Sequence, residues 1–376
     1  MVKINIKPIQ DRQAYKDDIH SITELFSSQV DSKCQLWEYI QGRWDPTEHE
    51  TTTSLIEDIG PLDNVMDFTE SQQDMYNSLG HIKHKIVLVH GPFGTGKTGT
   101  IIKIIAKYLS NPKKKQQVMY ITGSNVGVDN AAMRCRKECE KYGLDKIIIH
   151  VHSLKGECAK LIKAKKGPSR FAADIPENII QEFCALAYTT KVAKQHDERQ
   201  RRGDPRCVLE DMSLTKAMHN YLEKHADTDR SLKSLRISLK LIEKRGSERY
   251  DMDQVRIAIN KLMELTLADA DAIFCTINAA SKVNLYKNFQ PGLITCDEAC
   301  RATEISILSL FAFYDPDAWI YVGDHKQMHP IVLSADREKE HYKVWFQNTF
   351  HKQLLLSFMH RMLTIGHPVS FLAEQH

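Results

Sequence analysis

The stretch GPFGTGKT, Gly91 to Thr98, constrains the fold more than any other part of the chain. It stands between the apolar run Ile86 to Val89 and a segment, Thr98 to Leu109, that places Ile101, Ile102, Ile105, Tyr108 and Leu109 at helical spacing. A glycine-rich turn between a strand and a helix lets successive backbone N–H groups point inward, and the helix N-terminus adds its positive dipole end. The result is a cradle for phosphate oxygens. The spacing GxxxxGK[ST] assigns the parts: Gly94 and Gly96 permit the curl, Lys97 meets the β- and γ-phosphates, and Thr98 ligates Mg²⁺. Gly91, Thr95 and Gly99 complete the expected nucleotide-binding set. A glycine-rich turn with an incidental lysine is the alternative, and the flanking strand and helix argue against it.

Such a turn needs a crossover behind it, and the rest of the chain supplies the strands. Val118 to Ile121, Ile147 to Val151, Ala272 to Thr276, Leu293 to Cys296 and Trp319 to Val322 are short, apolar and rich in β-branched residues, as buried parallel strands are. Helical patterns lie between several of them, including Val126 to Tyr142, which stops at Gly143. Strands alternating with helices imply a doubly wound α/β sheet with ligands at the carboxyl ends of its strands.

The alternation breaks across residues 161–265, a charged helical stretch with 21 Lys/Arg against 16 Asp/Glu, a local excess of +5 where the whole chain carries +3. A solvated helical insertion and a nucleic-acid-facing arm both fit that charge mix. Lys194 to Arg206 reads as a loop within it, and residues 1–65, with Trp37 and Trp44, as an accessory segment. The expected division is therefore 1–65, a discontinuous nucleotide-binding unit of 66–160 with 266–376, and the insertion 161–265. The nine cysteines include no CxxC pair and read as reduced thiols. No apolar run approaches the ~20 residues of a membrane helix, and the first 18 residues have no signal-peptide core. The expected location is cytoplasmic or nuclear, with no membrane partner.

A bound nucleotide needs a carboxylate for its metal, and LITCDEAC, an apolar run ending in Asp297 and Glu298, offers one. Asp297 is the metal-side carboxylate and Glu298 the candidate general base for an attacking water. In YVGDHKQMHP, Tyr321 to Pro330, Gln327 stands where it could sense the γ-phosphate.

Taken in order, GPFGTGKT, GSNVGVDNAA (Gly123 to Ala132), IHVHS (Ile149 to Ser153), ADAIFCT (Ala270 to Thr276), DEACRATE (Asp297 to Glu304) and GDHKQMHP (Gly323 to Pro330) resemble the motif series of superfamily 1B helicases, most of all the nonsense-mediated-decay helicase group. The resemblance covers residues 66–376 apart from much of the insertion. It implies a RecA-like lobe of the phosphate-loop NTPases, ATP with Mg²⁺, and a single strand of RNA or DNA as partner. It further implies that Gln72, in FTESQQ, reads the adenine edge, although the bare sequence makes Gln72 a helix-surface residue. Ser124, Asn125 and Thr276 would lie on the nucleic-acid backbone; a helix N-cap is a compatible second role for Ser124 and Asn125.

Several positions depart from the family pattern. Phe93 replaces a proline, Arg301 replaces the glutamine of DEAxQ, and Met328 with His329 replaces Leu-Pro. FLAEQH, Phe371 to His376, looks like the start of the family's fourth motif, cut before its arginine, and no second α/β lobe follows it in the 376 residues. By the resemblance, the second lobe supplies arginines of a kind worth about 10³–10⁵ in rate in phosphate-loop enzymes, so these residues alone are expected to bind ATP·Mg²⁺, turn it over poorly and leave duplexes intact. A nucleotide-dependent adaptor without motor activity is the other reading. A GTPase fits badly because no NKxD-type guanine reader is present.

Overall fold

The computed structural model describes residues 23, 38–40, 42, 52–63, 67–112, 114–151, 209, 211–245, 251–331 and 351–375. Its main elements are α1 (Glu70–Ser78), β1 (Ile86–His90), α2 (Lys97–Leu109), β2 (Val118–Thr122), α3 (Asn125–Lys141), β3 (Ile148–Val151), α4 (Leu214–His225), α5 (Arg230–Arg245), α6 (Met252–Asp269), β4 (Ala272–Thr276), β5 (Leu293–Asp297), α7 (Glu304–Phe313), β6 (Ala318–Gly323), α8 (Phe358–Thr364) and β7 (Val369–Phe371). The seven strands form one sheet in the order β3-β4-β2-β5-β6-β1-β7, every neighbouring pair parallel.

Every residue of β1, β2, β5 and β6 is buried, which is why their sequences read as unbroken apolar runs. Alternate side chains serve opposite faces. Ile86, Leu88, Met119 and Ile121 join a core with residues of α4, α5, α6 and α7, whereas Val87, Val89, Val118 and Tyr120 join a second core with α1, α2 and α3. The sheet is therefore covered on both faces, the doubly wound α/β arrangement that the strand spacing implies.

The six expected strands are all present. The seventh, β7, is an addition: the segment read as the opening of a fourth motif begins inside a strand that pairs with β1 through Leu88↔Val369, Val89↔Ser370 and His90↔Phe371. Within the expected insertion 161–265 the described residues form α4 and α5 and most of α6, which runs on to Asp269. The Lys194 to Arg206 loop, Ser153, Trp37, Trp44 and most of residues 1–65 and 161–208 lie outside the described residues. No described helix is long and apolar enough to cross a membrane. Five described cysteines, Cys135, Cys139, Cys275, Cys296 and Cys300, are buried free thiols.

The order of strands positions the site. β6 lies between β5 and β1, so the loops that leave β5, β6 and β1 at their carboxyl ends open side by side.

Candidate functional site: a phosphate cradle at three strand ends

The cradle starts where β1 ends. Gly94 and Gly96 have φ of +86° and +71°, left-handed values that glycine adopts without a Cβ clash. Gly91 is fixed for another reason: a Cβ there would stand 2.6 Å from Thr95 Oγ1 and 3.1 Å from Leu372 Cβ. No such contact constrains Gly99. The buried Thr95 hydroxyl donates to the Pro92 carbonyl at 3.0 Å and braces the turn from within. α2 then begins with no side-chain cap and no acidic residue in its first turn, leaving its leading amides without a competing carboxylate.

The Lys97 ammonium is folded over the loop, donating to the Gly91 and Pro92 carbonyls at 2.7 Å each. Burial pushes its pKa below the ordinary lysine value, against the pull of Asp297 and Asp324. Thr98 Oγ1 donates to Asp297 Oδ2 at 2.5 Å, across 199 residues of sequence. The same carboxylate oxygen accepts from the Tyr120 hydroxyl at 2.8 Å, and Oδ1 accepts from the Glu298 backbone N–H at 2.8 Å. Asp297 is buried at the end of β5 and held by three donors. An alcohol at the start of α2 and a carboxylate at the end of β5 form a hard-oxygen pair that suits Mg²⁺. Tyr120 is pushed well above the ordinary tyrosine value, by burial first and by Asp297 second, and therefore remains a donor.

Glu298 sits at φ +54°, a left-handed conformation uncommon for a residue with a side chain. Its carboxylate accepts from Arg301 at 2.8 Å. Gln327 folds back within its own loop, Nε2 donating to Asp324 Oδ2 at 2.7 Å. These groups line a cleft of about 490 Å³ that also includes Phe93, Arg134, Cys300 and Met328.

Gln72 corrects the bare sequence reading, because it is buried rather than on a helix surface. Its Oε1 accepts from the Thr69 N–H at 3.3 Å, closing a capping box at the start of α1, and its Nε2 donates to the Thr95 carbonyl at 3.3 Å. The amide thus ties α1 to the phosphate turn. Ser124 accepts from the Gly127 N–H at 3.1 Å and Thr276 from the Ala279 N–H at 3.3 Å, so both are helix N-caps. They lie with the exposed Asn125 at the carboxyl ends of β2 and β4, where Thr122 is in register with both Thr276 and Asp297.

Four contributors escaped the sequence reading: Tyr120, Arg134, Asp324 and His90. Tyr120 reads as core because it lies inside an apolar run. Arg134 lies nine residues beyond the start of α3, and only the packing of that helix brings it to the cleft. His90 Nε2 lies 3.2 Å from Asp324 Oδ1, linking the ends of β1 and β6. Burial, with His325 second, pushes the His90 pKa below the ordinary histidine value although Asp324 pulls it up.

Known proteins resemble this chain in sequence. Residues 67–335 match the family AAA_11, described as an AAA domain. An uncharacterized ATP-dependent helicase of Methanocaldococcus jannaschii is 26% identical over 68% of this chain and 37% of its own length. The DNA-binding protein SMUBP-2 of Rattus norvegicus is 24% identical over 76% of this chain and 24% of its own length, and the helicase sen1 of Schizosaccharomyces pombe 25% identical over 73% and 18%. The chain therefore spans well under half the length of these relatives. With a phosphate turn, a strand-end Asp-Glu pair and relatives of this kind, the chain belongs to the AAA_11 family, within the superfamily 1B helicases, and carries their N-terminal motor lobe.

Proposed function

We propose that the cleft binds ATP with Mg²⁺ and hydrolyses it, as the ATP-binding lobe of a motor that moves along single-stranded RNA or DNA. The observation that carries this reading is the Thr98–Asp297 contact, which unites the end of the phosphate turn with the end of β5. In this reading Gly91, Gly94, Thr95, Gly96 and Gly99 shape the turn, and its amides with the start of α2 hold the phosphate oxygens. Lys97 leaves the Gly91 and Pro92 carbonyls to neutralise the β- and γ-phosphates. Thr98 and Asp297 hold Mg²⁺, which when bound offsets phosphate charge. Glu298 takes a proton from the attacking water, and Gln327 leaves Asp324 to meet the γ-phosphate. Gln72 recognises the adenine edge while keeping α1 against the turn. Ser124, Asn125 and Thr276 contact a nucleic-acid strand across the same edge of the sheet.

The Arg301–Glu298 pair favours a second reading, a nucleotide-dependent adaptor that hydrolyses slowly, because the guanidinium occupies the proposed base. Fluorescent-ATP titration and phosphate release, with and without single-stranded nucleic acid, test both. Lys97→Ala is expected to weaken ATP binding at least tenfold, and Glu298→Gln to keep binding while turnover falls about 100-fold. Unchanged affinity in Lys97→Ala would remove the phosphate-turn assignment. In a chain extended to include a second lobe, ATP binding with no hydrolysis stimulated by a single strand, even in Arg301→Gln, would favour the adaptor.

A further inference from the structure

At the edge of the cleft lies a cluster that shares Asp324 with its lining, and whose two imidazoles have no role in the proposed nucleotide chemistry. His90 from the end of β1 and Asp324 with His325 from the loop after β6 bring two imidazole nitrogens and a carboxylate oxygen within 4.8 Å of one another. His90 is buried, and its ring is clamped between Phe371, stacked at 5.1 Å, and His325 at 4.6 Å. Asp324 is oriented by the Lys326 N–H at 2.9 Å and the Gln327 amide at 2.7 Å. His325 Nδ1 is buried without a hydrogen-bond partner, a cost that an uncharged nitrogen avoids by taking a ligand.

We propose that His90, Asp324 and His325 form a binding site for Zn²⁺, separate in donor chemistry from the oxygen-only pair of Thr98 and Asp297. A tetrahedral ion with ligands at about 2.0–2.1 Å puts neighbouring donor atoms about 3.3 Å apart. The His90 Nε2 to Asp324 Oδ1 separation of 3.2 Å already matches that edge. The third donor closes from within 4.8 Å by movement of a partly buried loop residue. Two imidazoles with one carboxylate select zinc over magnesium, which prefers oxygen and retains its water. Binding replaces the His90 Nε2 proton, which passes to Nδ1 or to solvent, and leaves the fourth position to water or to His360, whose ring lies 6.0 Å from that of His325. The ion would fasten the loop carrying Gln327 to the strand that feeds the phosphate turn.

The test requires no nucleotide. The reduced full chain is titrated with ZnCl₂ against a chromophoric chelator, in parallel with His90→Gln, His325→Asn and, as control, His219→Ala on α4. Wild type and control are expected to hold an equivalent that both site variants bind at least about tenfold more weakly. Circular dichroism checks that the variants are folded. Co²⁺ bound to wild type reports independently, with d–d bands and no thiolate charge-transfer band expected. Equal zinc binding in wild type and both variants, or a thiolate band for that equivalent, would overturn the proposal.

Discussion

At the residue scale, Asp297 depends on three donors that converge from separate elements. Removing the Tyr120 hydroxyl with Tyr120→Phe takes away one of them and leaves the ring packed against Phe274 at 5.2 Å. We expect a loss of about 1 kcal/mol in urea unfolding, together with a higher Mg²⁺ requirement for ATP binding, read by titrating Mg²⁺ at fixed ATP. Arg301 and Glu298 are each about two-fifths exposed, so Arg301→Ala is expected to change stability by less than about 1 kcal/mol, and its effect should appear in turnover. A stability loss of several kcal/mol in Arg301→Ala would show that the pair is structural instead.

At the element scale, β7 is the part that the sequence concealed. Six strands were legible because each is buried on both faces and reads as an apolar run, but β7 has three residues, two of them exposed, and lies at the sheet edge. Its anchor is just beyond it: Leu372, fully buried, donates its N–H to the His90 carbonyl at 2.8 Å. Leu372→Ala is expected to cost about 2–5 kcal/mol by urea unfolding. The turn glycines, Lys97, Thr98 and Asp297 were likewise legible, since their spacing is set by phosphate and metal chemistry. Tyr120, His90 and Arg134 were not, because what they touch is decided by strand order and helix packing rather than by neighbours in the chain.

The strap before β7 also carries a pH response. His367 donates from Nε2 to the Ile86 carbonyl at 3.0 Å, and the neutral ring in that tautomer accepts at Nδ1 from the Tyr39 hydroxyl at 2.5 Å. Burial lowers its pKa from 6.5 to about 4. The unfolded chain therefore binds the extra proton between these values, and stability falls as pH drops from 6.5 toward 4. The full loss is about 3 kcal/mol. Urea midpoints at pH 7.5 and pH 5 should differ in wild type and differ less in His367→Asn.

At the scale of the whole molecule, the surface row from Thr276 through Ser124 and Asn125 shares an edge with the nucleotide cleft, so events in one are placed to reach the other. Binding to single-stranded RNA and DNA is expected to weaken with salt, with the slope of affinity against salt counting the phosphates neutralised. A slope near zero for both strands would remove that edge as the nucleic-acid surface. The same connectivity bears on biosynthesis. β1 is made early, but its sheet neighbours are Ala318–Gly323 and Val369–Phe371. At ordinary translation speeds of about 5–20 residues per second, the finished phosphate turn waits on the ribosome for roughly 10–45 s before its first neighbour is even polymerised. Nascent chains arrested before residue 318 should therefore leave β1 unpaired and fail to retain ATP, and a chaperone that shields Ile86 to Val89 has that interval in which to act.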